Sequence, residues 1–212
     1  MKKIIIINAS PRKNWNTAQL LKEAQKGAQS AGAQTEYIDL YDLNFSGCRS
    51  CLVCKRKDAE RNKCYLKDDL SPLIEKVLNS DGVIIGSPIY LGEPTAHFRA
   101  LYERLLFCVL SYDNGQSYLD KHINVGLIYT MNAPLAYYQT ALQSSIKSLE
   151  AGFRHLLKGE VFSYASCDTL QVKDYSQYSM GMFDAKHKKE MHEKQFPEDL
   201  KKAFEMAKNI VQ

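Results

Sequence analysis

The chain has 212 residues, of which 45% are hydrophobic and 25% charged, the balance of a folded globular protein. Its net charge is only +4, from 28 basic and 24 acidic residues spread along the chain, which excludes a typical nucleic-acid-binding protein. No stretch is long and apolar enough to span a bilayer, and Lys2-Lys3 leads into a short strand and not a signal peptide, so we expect a cytoplasmic protein without membrane contacts.

The first predicted elements are a strand, a loop and a helix. Ile4–Ile7 is apolar and β-branched at every position, as in a strand buried on both faces, and the helix that follows the loop is predicted to end near Gly32. The loop between them, N-A-S-P-R-K-N-W-N-T over positions 8–17, has many hydrogen-bond donors and no acidic residue. Because the first N–H groups of a helix lack partners and carry part of its positive dipole end, the loop is predicted to hold a phosphate. The alternative is an ordinary turn in which Asn16 or Thr17 caps the helix.

The rest of the chain continues this alternation of strands and helices. Further strands are predicted over 34–40, 81–86, 124–129 and 161–166, and helices over 71–79, 94–111, 134–158 and 197–211. This order predicts a parallel sheet with right-handed crossovers and helices on both faces. We predict one domain over residues 1–212, with a cysteine-rich insertion loop at 41–67 and a C-terminal extension at 168–212 that contains the last helix.

Two later loops suit a flat ligand. In an open parallel sheet, ligands bind outside the carboxyl ends of the strands where the strand order reverses. After the third strand, Ser87–Gly92 supplies a rigid proline, an aromatic tyrosine and a small glycine, which can lie along a heteroaromatic ring. By itself this segment also fits a plain turn broken by proline and glycine. Together with the phosphate loop, it predicts that the chain binds FMN.

These two motifs resemble a known family. Ser10–Thr17 resembles the phosphate loop of the NADPH-dependent FMN reductases, and Gly86–Tyr90 resembles their isoalloxazine loop. The resemblance covers about residues 1–165 and is close within the branch of the iron-sulfur flavoproteins. It implies a flavodoxin-like three-layer α/β/α sandwich with a five-stranded parallel sheet of order 2-1-3-4-5, assembled as a homodimer or homotetramer. Ala9 and Trp15 depart from the family pattern, which has a glycine and a small residue there.

The resemblance also implies the site residues. The phosphate would be held by Ser10, Arg12, Asn16, Thr17 and the adjacent Ala18. The flavin ring would be lined by Pro88, Ile89, Tyr90, Leu91 and Gly92, and the pocket completed by Thr130 and Asn132. Since the flavin carries the chemistry, no catalytic side chain is predicted.

The predicted function is an FMN-dependent oxidoreductase. It would pass electrons from NAD(P)H, as co-substrate, to a quinone, a flavin or another small-molecule acceptor. One alternative is a flavodoxin-like or iron-sulfur flavoprotein electron carrier or redox sensor without turnover of its own. Another is a binding module that takes no flavin.

Four of the six cysteines cluster in the insertion loop. Cys48, Cys51 and Cys54 form C-x2-C-x2-C, and Cys64 follows after nine residues. Short C-x2-C steps allow thiolates to converge on one metal centre. The iron-sulfur flavoproteins, which the chain resembles here, hold a [4Fe-4S] cluster with four cysteines, although their last gap is shorter. A [4Fe-4S] cluster, a zinc ion and free redox-active thiols all remain open hypotheses.

Overall fold

The computed structural model describes residues 1–212, and its centre is one six-stranded sheet. The strands are β1 (Lys3–Asn8), β2 (Gln34–Asp39), β3 (Gly82–Tyr90), β4 (Glu93–Pro94), β5 (Ile123–Thr130) and β6 (Lys158–Ser166). Five of them run parallel in the order β2-β1-β3-β5-β6, and the two-residue β4 pairs antiparallel with the end of β3. The predicted five-stranded parallel sheet of order 2-1-3-4-5 is therefore confirmed, with β4 as a short addition.

Helices cover both faces of the sheet. They are α1 (Asn16–Ser30), α2 (Leu70–Leu78), α3 (Ala96–Val109), α4 (Leu135–Tyr137), α5 (Gln143–Leu157), α6 (Ala185–Lys194) and α7 (Phe196–Val211), with a π-helical turn at Tyr138–Leu142 between α4 and α5. Short 3-10 turns lie at Leu40–Asp42, Val53–Lys55 and Tyr175–Gln177. None of the helices has the length and apolar character needed to cross a membrane.

The isoleucine run of β1 lies between two apolar cores. Ile5 and Ile7 pack with apolar residues of α2, α3 and α5, whereas Ile4 and Ile6 pack with those of α1 and α7. Because successive side chains of a strand point to opposite faces, a strand covered on both sides is apolar at every position. All four isoleucines are fully buried, as the sequence predicted.

The contact between α1 and α7 depends on a glycine. A Cβ atom added at Gly27 would lie 2.1 Å from the backbone oxygen of Phe204, so the two helix backbones approach too closely for a side chain. The terminal helix begins at Phe196, one residue before the predicted start, and its buried residues include Ala203, Ala207 and Ile210.

Near the third strand the structure differs from the prediction. The strand was predicted to end at Gly86, but it continues through Tyr90 because Ser87 and Pro88 stay paired with β5. The next helix was predicted to open at Pro94, but it begins at Ala96. Thr95 caps that helix by accepting a hydrogen bond from the Phe98 N–H, while Pro94 belongs to β4.

One further boundary was wrong, and one helix was not predicted. Helix α2 was predicted to begin at Ser71, but it begins at Leu70, and the Ser71 hydroxyl donates to the Leu66 carbonyl. Helix α6 was not predicted, because only Lys188 of its ten residues is buried and its sequence has no apolar period. Its N-cap, Asp184, accepts hydrogen bonds from two backbone N–H groups of the first turn.

Candidate functional site

The predicted site loops meet at one edge of the sheet. In the sheet, β1 lies between β2 and β3, so the strand order reverses at β1. An open parallel sheet binds its ligand at the carboxyl end of the strands at such a point. The Thr17 and Thr130 hydroxyls lie 2.7 Å apart and share a hydrogen bond, which joins the first turn of α1 to the end of β5. The Ala9 N–H donates to the Gly86 carbonyl at 2.8 Å. The structure therefore brings together the loops after β1, β3 and β5.

Two residues that the sequence analysis missed shape the first loop. The Asn8 side chain donates to Asp39 at 2.7 Å and accepts from the Ser10 N–H at 3.1 Å, which fixes the chain as it leaves β1. Thr95 donates to the Ala9 carbonyl at 2.8 Å. A threonine placed before a helical pattern signals an N-cap, so Thr95 could have been found as a cap, but not as a contact of this loop.

The start of α1 has backbone donors without acceptors. The N–H groups of Lys13, Asn14, Asn16, Thr17 and Ala18 donate to no protein atom. No side chain caps this helix, and its first turn contains no acidic residue. Free N–H groups at the positive end of a helix dipole form a ready site for an anion such as phosphate.

The side-chain donors of the same loop have a different partner. Arg12 Nη1 donates to the Gln171 carbonyl at 2.6 Å, and Asn16 Nδ2 donates to the Leu170 carbonyl at 2.8 Å. Trp15 Nε1 also donates to the Leu170 carbonyl, at 3.1 Å, and the Arg12 guanidinium lies 4.1 Å from the centre of the Trp15 ring. The chain after β6 thus contacts the predicted phosphate loop through three side chains. No local sequence signal indicated this contact between residues more than 150 positions apart.

The predicted phosphate residues differ in exposure. Ser10, Asn16, Thr17 and Ala18 are buried, and Arg12 is exposed. The Ser10 hydroxyl accepts from the Arg12 N–H at 3.1 Å and so shapes the loop itself. Their roles toward a phosphate stay predictions.

The predicted ring-binding segment forms a protruding hairpin. Pro88 and Ile89 are half-buried, Tyr90 is 48% exposed, and Leu91 is fully exposed at the tip. Leu91 has a φ of 51° and Gly92 a φ of 90°. A non-glycine residue with positive φ is strained, and such strain concentrates at functional sites. The tip therefore exposes an apolar side chain and a phenol at the surface.

Aromatic side chains extend this surface. Partial burial, reinforced by nearby Tyr41 and opposed by Arg12, raises the pKa of the Tyr90 phenol above its ordinary value. Tyr41 stacks on His97, with ring centres 3.8 Å apart, and partial burial lowers the pKa of the His97 imidazole. These neutral rings suit contact with an apolar heteroaromatic ligand.

The end of β5 completes the edge. Thr130 is buried and Asn132 is half-buried. Asn132 Nδ2 donates to the Gln171 side chain at 2.7 Å, while its Oδ1 atom is buried without a partner. The Asn132 amide thus also contacts the segment after β6.

The four clustered cysteines line one small cavity. Cys48, Cys51, Cys54 and Cys64 share this cavity, of about 20 Å³, with Arg104. Arg104 Nε donates to the Cys64 sulfur at 3.3 Å. Burial, reinforced by the other three thiols and opposed by Lys55, raises the pKa of the Cys54 thiol.

All six cysteines are free thiols. No three His, Cys, Asp or Glu side chains stand in an arrangement that could hold a metal ion. The four thiols match the donor set of an iron–sulfur cluster in kind and share one cavity, but they are not converged, so the metal assignment stays a prediction. Cys108 is buried in the apolar core that contains Ile5 and Ile7, and Cys167 is half-buried against the same core.

A sequence model of the family described as NADPH-dependent FMN reductase matches residues 2–131. An iron-sulfur flavoprotein of Methanocaldococcus jannaschii is 37% identical over 102 residues, which are 48% of this chain and 51% of that protein. One of Clostridioides difficile is 33% identical over 128 residues, covering 53% of this chain and 55% of that protein. The chain thus spans about half the length of the curated relatives it matches.

Solved structures share the fold at low sequence identity. An NAD(P)H:quinone oxidoreductase from Methanothermobacter marburgensis superposes with a TM-score of 0.74 at 15% identity, covering 100% of this chain and 98% of that one. An azoreductase from Bacillus anthracis gives a TM-score of 0.66 at 13% identity, covering 99% and 100%. At such identity the likeness establishes the fold alone.

Proposed function

Because this chain belongs to the NADPH-dependent FMN reductase family, we propose that it binds FMN and acts as an FMN-dependent oxidoreductase. The observation that carries the proposal is the set of five backbone N–H groups without acceptors at the start of α1. These groups lie in the loop after β1, next to the loops after β3 and β5. An open parallel sheet binds its ligand at this edge.

The residues present fit the cofactor. A phosphate needs several donors, and the N–H groups of residues 13, 14, 16, 17 and 18 supply them next to a first helical turn without acidic residues. Of the paired Thr17 and Thr130 hydroxyls, one donates to the other, so the second keeps an O–H free to donate. The flavin ring would lie beside the hairpin of Pro88, Ile89, Tyr90, Leu91 and Gly92.

The chain would position the reactants and not supply an acid or a base. When bound, FMN would provide the capacity to accept a hydride from NAD(P)H and pass electrons to an acceptor. The exposed Leu91 and the half-exposed Tyr90 would contact the ring and exclude water from one side of it. We propose a quinone, a flavin or another small molecule as the acceptor, which is consistent with the quinone oxidoreductase fold of the structural neighbour.

The test is flavin binding by a charge variant. Asn14→Asp places a carboxylate in the loop that carries the free N–H groups, and its Oδ1 can still accept from Lys22. We expect the Kd for FMN to rise about tenfold through repulsion of the phosphate, with little change for riboflavin. The matched control is Asn114→Asp, another exposed asparagine whose Oδ1 accepts a hydrogen bond. An equal effect of both variants, or a wild-type protein that takes up no FMN, would contradict the proposal.

A second candidate is an iron-sulfur flavoprotein that carries electrons without turnover of its own. It is favoured by the four cysteines around one cavity, and the matched relatives are named iron-sulfur flavoproteins. Cys48, Cys51, Cys54 and Cys64 would hold the cluster, which would supply one-electron transfer.

Anaerobic purification with counts of iron, sulfide, zinc and flavin distinguishes the two candidates, together with steady-state oxidation of NAD(P)H by a quinone. A carrier would contain iron and oxidise little nicotinamide. Cys51→Ser should then lower the iron content, and Cys167→Ser, which lies outside the cavity, should not. If the purified protein contains FMN but no iron and oxidises NAD(P)H steadily, the oxidoreductase is the function.

A further inference from the structure

The segment 168–175, which we call the strap, lies beside the predicted phosphate loop and binds its side chains. The carbonyls of two adjacent strap residues accept hydrogen bonds from three side chains of the loop. The strap lies outside residues 2–131, over which the chain matches the family model, so the family assignment does not account for this contact. The three bonds run from Arg12 to the Gln171 carbonyl, and from Trp15 and Asn16 to the Leu170 carbonyl.

The loop has few other contacts that hold its middle in place. Its only internal bond between backbone groups runs from the Trp15 N–H to the Arg12 carbonyl, at 3.2 Å. The contacts of Lys13 and Asn14 are exposed to solvent, where such contacts contribute little. The bonds from Trp15 and Asn16 to the strap are instead partly buried. The strap is therefore the main tertiary support of this part of the loop.

The strap is itself attached at its base. The Asp168 N–H donates to the Ala133 carbonyl at 2.8 Å, and the Thr169 hydroxyl donates to the Met131 carbonyl at 3.0 Å. The Asp168 carboxylate also forms an ion pair with the buried Lys188 of α6. These contacts fix the start of the strap to the loop after β5 and to the helix that follows the strap.

The strap also has a defined shape of its own. The Gln171 N–H donates to the Tyr175 hydroxyl at 3.0 Å, which closes the strap on itself. The Gln171 side chain accepts from Asn132 at 2.7 Å. A segment that is attached at its base and closed on itself can hold a neighbouring loop in one position.

This support matters for a ligand that is bound by backbone groups. The five N–H groups without protein acceptors, at residues 13, 14, 16, 17 and 18, lie among or directly after the residues that the strap holds. Ordering a flexible backbone costs conformational entropy, and affinity falls when that ordering happens only on binding. Because the strap engages the side chains of the loop and leaves its N–H groups free, it can order the loop before a ligand arrives.

We propose that the strap positions the phosphate loop, so that the flavin phosphate meets backbone N–H groups that are already in place. The inference rests on the proposed function, since it takes the free N–H groups as the phosphate site. It assigns positioning roles to Trp15, which acts through the Leu170 carbonyl, and to Tyr175, which acts through the Gln171 N–H. Neither side chain needs to touch the flavin.

The experiment measures the Kd of the purified apoprotein for FMN and for riboflavin by flavin fluorescence. Trp15→Phe removes the hydrogen bond to Leu170 and keeps an aromatic ring beside Arg12. Tyr175→Phe removes the hydroxyl that accepts from Gln171. We expect each variant to raise the Kd for FMN about threefold, the effect of one hydrogen bond. The Kd for riboflavin should stay unchanged, because riboflavin has no phosphate.

The double variant tests whether the two side chains act through the same element. If the strap carries both effects, the Kd for FMN should rise about fivefold, less than the roughly ninefold product of two independent changes. Without ligand, amide hydrogen exchange over residues 12–18 should be faster in all three variants than in the wild type, since the loop is less ordered.

The matched control is Tyr178→Phe, which removes the hydroxyl of an exposed tyrosine just beyond the strap. It should change neither the two Kd values nor the hydrogen exchange of the loop. Thermal unfolding shows whether the variants are folded. If Trp15→Phe is not, Tyr175→Phe decides by itself, since it keeps a half-buried ring and removes only its hydroxyl.

Three results would overturn the proposal. They are folded variants with an unchanged Kd for FMN, equal rises in the Kd values for FMN and riboflavin, and a double variant that shows the full product of the single effects. A wild-type protein that binds neither FMN nor riboflavin is a separate result, which would overturn the proposed function and the inference with it.

Discussion

Arg104 shows how a single residue can organise a long loop. It is fully buried in α3, and its guanidinium donates to the Ser46 carbonyl at 3.0 Å, to Asp68 Oδ1 at 2.9 Å and to the Ser71 hydroxyl at 2.7 Å, in addition to Cys64. Burial by itself would raise the pKa of Asp68, but the hydrogen bond and charge of Arg104 outweigh it and hold that pKa below its ordinary value. The single Arg104 cation therefore attaches both ends of the cysteine-rich insertion loop to the core.

We expect Arg104→Met to lower the free energy of unfolding by about 3 kcal/mol, because it leaves Asp68 without its charge partner. Urea unfolding measures this change. The control Arg99→Met removes an exposed pair with Glu103 on the same helix and should cost only about 0.3 kcal/mol. Equal costs for the two variants would mean that Arg104 does not anchor the loop.

The strained tip of the β3–β4 hairpin allows a test of function against stability. Leu91→Gly relieves the positive φ but loosens the unfolded chain, so the stability should stay within about 1 kcal/mol of wild type. Removal of the exposed side chain should weaken riboflavin binding about tenfold, since the ring loses its apolar contact.

Leu52→Gly provides the control for this variant. Leu52 also has a positive φ, of 58°, and is exposed, but it lies in the cysteine loop. Its replacement should leave riboflavin binding unchanged. If neither variant alters the affinity, Leu91 does not contact the flavin.

At the scale of elements, the packing of α1 on α7 has a clear weak point. Gly27→Ala would place a methyl group against the Phe204 backbone, and the helices would have to separate. We expect a loss of about 2 kcal/mol in the free energy of unfolding, measured by urea titration. Gly181→Ala, where an added Cβ meets no atom within 4 Å, should change it by less than about 0.5 kcal/mol. A small effect at Gly27 would show that the contact is adaptable.

Asp168, which follows β6, is held by Lys188 and His187 of α6, and this contact should give a pH-dependent stability. Burial would raise the pKa of Asp168, but its hydrogen bonds from Lys188 and His187 outweigh burial and lower it. A carboxyl group with a lowered pKa in the folded state stabilises the fold above its unfolded pKa of about 4, and this stabilisation is lost as the pH falls through the folded value.

We therefore expect Asp168→Asn to cost about 2 kcal/mol at pH 7, with the difference from wild type shrinking as the pH falls below about 4. Asparagine also tolerates the positive φ of 58° at this position, so the variant tests the charge and not the backbone. Unfolding by urea across pH 3 to 7 provides the measurement. A difference that stays constant with pH would exclude the ion pair as its cause.

For the whole molecule, ligand binding should appear as added stability. A ligand at about 100 times its Kd stabilises the folded state by about 2.7 kcal/mol, which for a chain of this size raises Tm by about 5–10 °C. We expect FMN to produce this shift and riboflavin at the same concentration to produce much less, because it cannot use the free N–H groups of α1. Equal Tm shifts from FMN and riboflavin would mean that the flavin ring, and not the phosphate, supplies the binding energy.

Much of the fold was predictable, because local hydrophobic patterns in the sequence indicate strands and helices. The isoleucines of β1 and the apolar run of β3 indicated buried parallel strands, and their alternation with helices predicted the layers. Prediction failed where a local pattern was weak or had a second meaning. Pro94 looked like the first residue of a helix, but it pairs with Ile89, and the helix begins two residues later, at Ala96, with Thr95 as its cap.

The alternation of strands and helices in the sequence by itself determined that the sheet is parallel, and so that the exit loops of β1, β3 and β5 lie at the same edge. The order of the strands came from the family resemblance. Only the tertiary structure decided what those loops contact. The segment after β6 contacts Arg12, Trp15 and Asn16, more than 150 residues away in the chain, through backbone carbonyls that every residue has. Because backbone carbonyls are the same in every residue, the sequence gives no sign of such a contact. Only the folded arrangement could show that the segment after β6 borders the predicted phosphate loop.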